Sequence, residues 1–211
     1  MALINCYECG KEISDMAMTC PKCGAPQKQA GKFSDKGVVI NGVKWATRNV
    51  DTPGTFAAKP EDSGMFYQWN RKKASPTTGI VTSWDYGHSI GNIWEKTNEP
   101  SPAGWHVPTL DEIKTLFNTD KVSNEWITKN GRNGRRFIDK ATGDTLFLPA
   151  MGFRGYGDGN LYNVSQEGRY WCGTQSDNMA CDLGFNSNGA DWNCLGSFVR
   201  NFGFNVRSVA D

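Results

Sequence analysis

The sequence predicts an α+β chain in two parts, a small N-terminal four-cysteine metal module and a larger domain with few helices and many short strands. Three observations carry this. Cysteines recur as two C-x-x-C-G units near the N-terminus. Eight Trp and 24 Gly in 211 residues indicate bulky anchors separated by tight turns, because Gly supplies positive φ angles that other residues resist. Short runs alternating apolar and polar residues, bounded by Gly, Asn and Pro, read as strands. With 38% hydrophobic and 12% aromatic residues the chain can bury a sizeable core, and a long helical bundle is not expected.

The first element is the metal module. "CYECG" from Cys6 and "CPKCG" from Cys20 leave ten residues between the inner cysteines, Cys9 and Cys20. Each C-x-x-C turn sets two thiolates one ligand distance apart, and two such turns facing each other make a tetrahedral site from Cys6, Cys9, Cys20 and Cys23. The Gly after each second Cys lets the backbone curl behind the sulfur. The pattern resembles a zinc ribbon with two knuckles, placed at residues 1–26, with structural Zn²⁺ as the expected ion and iron as the second candidate. Four cysteine ligands close the coordination sphere, which speaks for structure and against catalysis. So short a segment needs the metal to fold, a contribution on the order of 10 kcal/mol. "KEISDMAMT" between the knuckles has no basic stripe, so a protein partner is expected here in preference to nucleic acid. Residues 27–36 are polar and read as a linker.

The larger domain, 37–211, opens with a hairpin: Val38 to Ile40, an Asn41-Gly42 pair suited to a type I′ turn, then Val43 to Ala46. "GMFYQWN" from Gly64 reads as a short aromatic strand. "PTLDEIKTLF" from Pro108 reads as a helix, with Thr109 and Glu112 as a capping box and Ile113, Leu116 and Phe117 as its apolar stripe. Asp120 to Lys129 is a candidate second helix. "RRFIDKATGDTLFLPA" reads as two strands around a Gly-containing turn, and "GRYWCGT", "ACDLGF" and "FGFNVRSV" as three more. In the last, Phe202, Phe204, Val206 and Ser208 alternate with Asn205 and Arg207. Asn193 to Phe198, just before it, follow no period.

With 23 basic and 22 acidic residues the net charge is +1, so no global field draws the chain to nucleic acid or an anionic membrane. No apolar run is long enough to span a bilayer, and "MALINCYECG" has neither a charged leader nor an apolar core. The expected location is cytoplasmic, with a place in a virion as the other option. Cys172, Cys181 and Cys194 have no motif spacing and form an odd set, which fits a reducing compartment.

Six phrases, "NGVKWATRNV", "GMFYQWN", "PAGWHVPTLDEI", "LFLPAMGFRG", "GRYWCGTQS" and "GFNVRSV", occur in this order between Val38 and Val209. Together they closely resemble the variable target proteins of bacterial and phage diversity-generating retroelements. That family has the C-type-lectin-like fold shared by formylglycine-generating enzymes. The resemblance implies a C-type-lectin-like domain whose C-terminal region, about 169–205, is rewritten when template adenines are misread. Asn codons then become codons for residues reached by changing their first two bases. Trp171, Gln175, Met179 and Trp192 are not reachable and are expected to be framework or products of other codons; Cys181 is reachable.

The surface implied for ligand binding comprises Cys172, Gly173, Asp177, Asn178, Asp182, Gly184, Asn186, Asn188, Asp191, Trp192, Asn193, Cys194, Leu195, Gly196, Ser197 and Phe198. Trp192, Leu195 and Phe198 supply apolar area there, and Asn and Asp the directional hydrogen bonds, as in antibody loops. Val206, Phe204, Trp105 and Leu183 are expected to brace it. A protein or glycan ligand is implied, with no catalytic residue.

Other readings compete. A lectin-like module of fixed specificity needs no retroelement. A formylglycine-generating-type oxidase needs a cysteine pair by the last strand, where this chain has Ser208. Calcium-dependent sugar binding could use Asp158, Asn160 and Asn163 in "GYGDGNLYN", which otherwise reads as a Gly-rich turn. "RNGRRF" could meet phosphate but reads as a solvated hairpin edge. His88 and His106 are far apart and read as hydrogen-bonded structural residues.

Overall fold

The computed structural model describes residues 3–6, 9–14, 20–24, 35–87, 89, 91–176, 179–193 and 200–211. The chain divides into two compact units, Met1–Ser34 and Asp35–Asp211. In the first, β1 (Leu3–Asn5) and β2 (Glu12–Ser14) pair antiparallel, with Leu3 opposite Ser14. Among its described residues the buried apolar cluster is Cys6, Ile13 and Cys20, with Cys9 packed against it.

The second unit is built from short strands. β3 (Val38–Ile40), β4 (Val43–Trp45), β5 (Phe66–Gln68), β6 (Ala74–Ser75) and β7 (Trp105–His106) precede α1 (Leu110–Thr115). β8 (Val122–Lys129), β9 (Arg132–Asp139), β10 (Thr145–Pro149), β11 (Phe153–Arg154) and β12 (Leu161–Tyr162) follow. The chain ends with β13 (Glu167–Ser176), β14 (Met179–Asn186), β15 (Ala190–Asn193), β16 (Gly203–Phe204) and β17 (Val209–Ala210). Every ladder between named strands is antiparallel, in sheets ordered β3-β4-β17-β7, β12-β11-β16-β5-β6, β10-β9-β8 and β13-β14-β15. Among the described residues α1 is the one α-helix, joined by a 3₁₀ turn at Lys96–Asn98, and no helix is long and apolar enough to cross a membrane.

Local chemistry explains the elements. Ile40 pairs with Val43 across Asn41 and Gly42, whose φ values of 47° and 82° are the two positive angles a type I′ turn requires. The Thr109 hydroxyl accepts from the Glu112 amide, and the Glu112 carboxylate accepts from the Thr109 amide at 2.7 Å, which starts α1 as a capping box. Ile113 and Leu116 are buried and Phe117 is half-buried against the same cluster.

Two expectations are corrected. Residues 122–129 are strand β8, not a helix. Asn130 and Gly131, with φ 47° and 77°, turn β8 directly into β9, and Lys129 pairs with Arg132. That second Asn-Gly turn outweighs helix propensity in the preceding residues. The strand expected over Phe202 to Ser208 is likewise broken into β16 and β17, and it has no solvent face: residues 200–209 are all buried. Asn205 Nδ2 donates to the Ser63 and Met65 carbonyls, and Arg207 Nε donates to Asn49 Oδ1. Polar residues alternate here because they saturate buried backbone and amide groups.

Two apolar clusters fill the unit. One includes Ile40, Trp45, Phe137, Tyr170 and Leu183; the other Trp69, Trp171, Phe204 and Val206. β17 lies between β4 and β7, so the C-terminal residues close the sheet that β3 opens. Asp35, placed in the linker by its composition, belongs to this unit: its carboxylate accepts from Arg48 Nε at 3.1 Å and from the Thr47 and Gly37 amides. Those bonds hold the carboxyl below its usual range against the opposing effect of burial.

Candidate functional site

In the N-terminal unit, Cys6, Cys9, Cys20 and Cys23 bring four sulfurs within 4.8 Å of one another. Cys6 Sγ lies 3.7 Å from Cys23 Sγ, and Cys9 Sγ 3.6 Å from Cys20 Sγ. A tetrahedron with metal–sulfur bonds of about 2.3 Å has edges of about 3.8 Å, so the arrangement can hold a metal ion. The Gly10 amide donates to the Cys6 carbonyl and the Gly24 amide to the Cys20 carbonyl, closing one turn behind each pair. Gly10 and Gly24 take φ 67° and 73°, and a Cβ at either would meet nothing. The requirement is thus the positive φ, not room beside the sulfur. Burial raises the Cys20 thiol's pKa, but the Cys23 and Lys22 amides more than offset it, leaving the thiol below its ordinary value.

In the second unit, β13, β14 and β15 carry most of the described residues expected to bind ligand. Asn186, Asn188 and Asp191 are exposed; Gly184, Trp192 and Asn193 are half-buried. The Asn186 amide donates to the Gly189 carbonyl, and Asn186 Oδ1 accepts from the Asn188 amide, which fixes the turn between β14 and β15. Lys114 Nζ sits 4.8 Å from the Trp192 ring centroid. Asp177, Asn178, Cys194, Leu195, Gly196, Ser197 and Phe198 lie outside the described residues, as does His88.

Three members of the expected surface are corrected, because they lie inside. Cys172 and Asp182 are 0% exposed and Gly173 is buried. Cys172 packs in the core with Tyr170 and Leu183, and burial pushes its thiol up to about 12. Asp182 Oδ2 accepts from Arg169 Nη1 at 2.9 Å; burial still pushes its carboxyl up to about 6. Cys181, one of the odd cysteine set expected to fit a reducing compartment, is disulfide-bonded. These cysteines therefore no longer speak for a reducing compartment.

The expected brace is placed inside at Val206, Phe204 and Leu183, while Trp105 is half-buried, edge-on to Phe56 at 5.5 Å. Trp171, expected as framework, is fully buried and donates from its indole to the Tyr67 carbonyl. Asp158 is engaged by Asn160 and Tyr162, so the Gly-rich turn saturates its own carboxylate. His106 joins Asp211 at 2.8 Å and Glu112 at 3.3 Å, as a structural histidine does. In "RNGRRF", Arg135 is buried, not solvated, and donates to the Asn186 carbonyl at 2.8 Å.

Asn186 and Asn188 also line a depression of about 410 Å³ shared with Trp126, Asn133, Gln166 and Glu167. The last four were not legible as a site: they come from β8, β9 and the turn before β13, and a helix over 120–129 would scatter Trp126 away from Asn133. The Asn130-Gly131 pair was the available signal. Comparison with protein-family models, curated proteins and solved structures yields no match.

Proposed function

We propose that residues 37–211 form a C-type-lectin-like domain that binds a protein or glycan ligand through a C-terminal surface diversified by a retroelement, and that residues 1–26 form a zinc ribbon. The observation that carries this reading is the β14–β15 hairpin, which holds Asn186, Asn188 and Asp191 in solvent above buried Leu183 and Phe185. Side chains so placed can be exchanged while the backbone and core stay fixed, which a mutable binding surface requires. The described part of that surface is Gly184, Asn186, Asn188, Asp191, Trp192 and Asn193. The four-sulfur cluster favours Zn²⁺, which takes tetrahedral thiolate sites without redox chemistry, and the ribbon serves to attach or position the binding domain.

Catalysis forms no part of this reading. Cys172 stays protonated at neutral pH in its buried site, so it offers no thiolate for a formylglycine-type oxidation. A second reading, a module of fixed specificity, is favoured by one observation: Cys172 and Asp182 are reachable from Asn codons yet buried, where random replacement would damage the core.

Sequencing the DNA around the gene decides between them. A near-copy of the codons for 169–211 that differs only at its adenines, beside a reverse transcriptase gene, is the expected result. Absence of both leaves a binding module of fixed specificity.

A further inference from the structure

The depression beside the β14–β15 turn has chemistry of its own. It lies between the β8–β9 hairpin, the turn at 163–167 and the turn at 186–188. Its size falls within the roughly 300–1,000 Å³ of small-ligand pockets. None of its lining residues is Lys or Arg, so it offers no counter-charge to a phosphate or carboxylate. Its one acid, Glu167, is already engaged: Oε2 accepts from Asn163 Nδ2 at 2.7 Å and Oε1 from Arg169 Nε. A hard cation would therefore find no free carboxylate.

The walls are fixed. Asn133 Nδ2 donates to the Ser165 carbonyl at 3.1 Å while its Oδ1 accepts from the Thr128 hydroxyl at 2.7 Å. Arg135 ties the Asn186 carbonyl to β9 from behind, and the Trp126 ring meets Phe185 edge-on at 6.4 Å. Asn163 and Ser165 hold φ values of 54° and 63°, conformations that non-glycine residues keep only when their surroundings enforce them.

Against these walls stand side chains with spare capacity. The Gln166 and Asn188 amides are exposed, and their side chains make no hydrogen bond to other described residues. Each presents a donor and an acceptor side by side. Trp126 adds a half-buried aromatic surface. Adjacent hydroxyls on a pyranose ring are each donor and acceptor, matching an amide's two ends, while the ring's C–H face packs on an indole. The depression's one carboxylate, Glu167, is already paired with Arg169, so a neutral ligand meets no unpaired charge there.

From this geometry we infer that the depression is a calcium-independent binding site for a neutral saccharide, with Trp126 as the stacking surface and Gln166 and Asn188 as the hydroxyl-reading groups. The site shares Asn188 with the proposed variable surface, but the inference requires no diversification. Trp126 and Gln166 precede residue 169, so the groove keeps a fixed side whatever occurs at 186 and 188.

The test uses the full zinc-loaded chain in calcium-free buffer, titrated with maltotriose, cellotriose and chitotriose at millimolar concentration. Nitrogen-15 spectra follow the Trp126 indole N–H and the Gln166 and Asn188 side-chain amides. Expected is a saturable shift at these three groups with at least one probe, and affinity at least tenfold weaker in Gln166→Ala and Asn188→Ala, whose exposed positions leave the fold intact. The inference is overturned by an absence of shift with all three probes, by binding unaltered in both variants, or by binding that appears only when calcium is added. None of these outcomes bears on the template repeat, so the two readings fail separately.

Discussion

Arg169 Nη1 lies 2.9 Å from Asp182 Oδ2 across the β13–β14 pair, and the aspartate is wholly buried while the arginine reaches solvent. Glu167 joins the same guanidinium from the strand's outer end. Asp182→Ala removes the buried carboxylate from the Arg169 guanidinium, at a cost of about 3 kcal/mol. Asn188→Ala, in the exposed turn of the same sheet, changes stability by no more than about 0.5 kcal/mol. Urea unfolding of the two variants checks this. Equal losses would show that the hairpin turn is as structural as the strand.

A metal ion held by Cys6, Cys9, Cys20 and Cys23 is predicted to supply much of the N-terminal unit's stability. Among the described residues its buried apolar cluster is Cys6, Ile13 and Cys20, a small apolar area for a unit expected to fold around its metal. Purified chain is expected to carry a single zinc ion by elemental analysis and to be colourless. A strong zinc chelator should collapse the dispersed amide resonances of residues 3–24 while those of 35–211 stay in place. Metal-free chain with unchanged resonances at Gly10 and Gly24 would refute a metal-dependent fold.

What the sequence disclosed follows from how local each constraint is. The four-cysteine cluster was legible because four thiolates at fixed spacing have few other uses, and the first hairpin because Asn41 and Gly42 both need positive φ. α1 was legible from the Thr109–Glu112 box. Asn205 and Arg207 misled because alternation reports polarity, not exposure: both are buried and bonded to partners far away in the chain. Cys172 and Asp182 misled because the codons their residue types can arise from say nothing of burial. The depression was invisible because three separate segments meet to form it, and only the folded sheet order brings Trp126 to Asn186.

His106 links three parts of the second unit. Its ring bonds Glu112 of α1 and Asp211 at the chain end, and it sits in β7. The Glu112 hydrogen bond, opposed by burial and aided by Asp211, raises its pKa from 6.5 to about 9. A histidine raised on folding stabilises fully below its unfolded value near 6.5, and the contribution fades as pH climbs through about 9. The site is partly solvated, so the contribution is discounted to about 1 kcal/mol. His106→Gln should therefore be less stable than the parent at pH 6 by about that amount and nearly equal to it well above pH 9. A difference that stays constant across the range would assign the histidine a packing role only.

Arg207 gives the sharpest contrast with the exposed turn. It is 1% exposed; Nε donates to Asn49 Oδ1 at 3.0 Å and Nη1 to the Ala46 carbonyl at 3.2 Å. Asn49 in turn donates to the Tyr170 hydroxyl at 3.3 Å, which donates to the Pro149 carbonyl at 2.8 Å. The chain of bonds thus runs from the C-terminal segment through the strand-to-loop region after β4 to β10 and β13. Arg207→Ala empties a large buried volume and orphans the Asn49 and Ala46 acceptors after β4, for a loss of about 3–5 kcal/mol. Arg207→Lys keeps the charge but presents one ammonium where two directed N–H groups were used, and should recover only part of that loss. Thermal unfolding of both variants beside Asn188→Ala measures the separation directly: a framework that fixes the backbone must lose heavily at Arg207 and almost nothing at Asn188. If Arg207→Ala melts with the parent, the C-terminal segment is not what holds the second unit's framework in place.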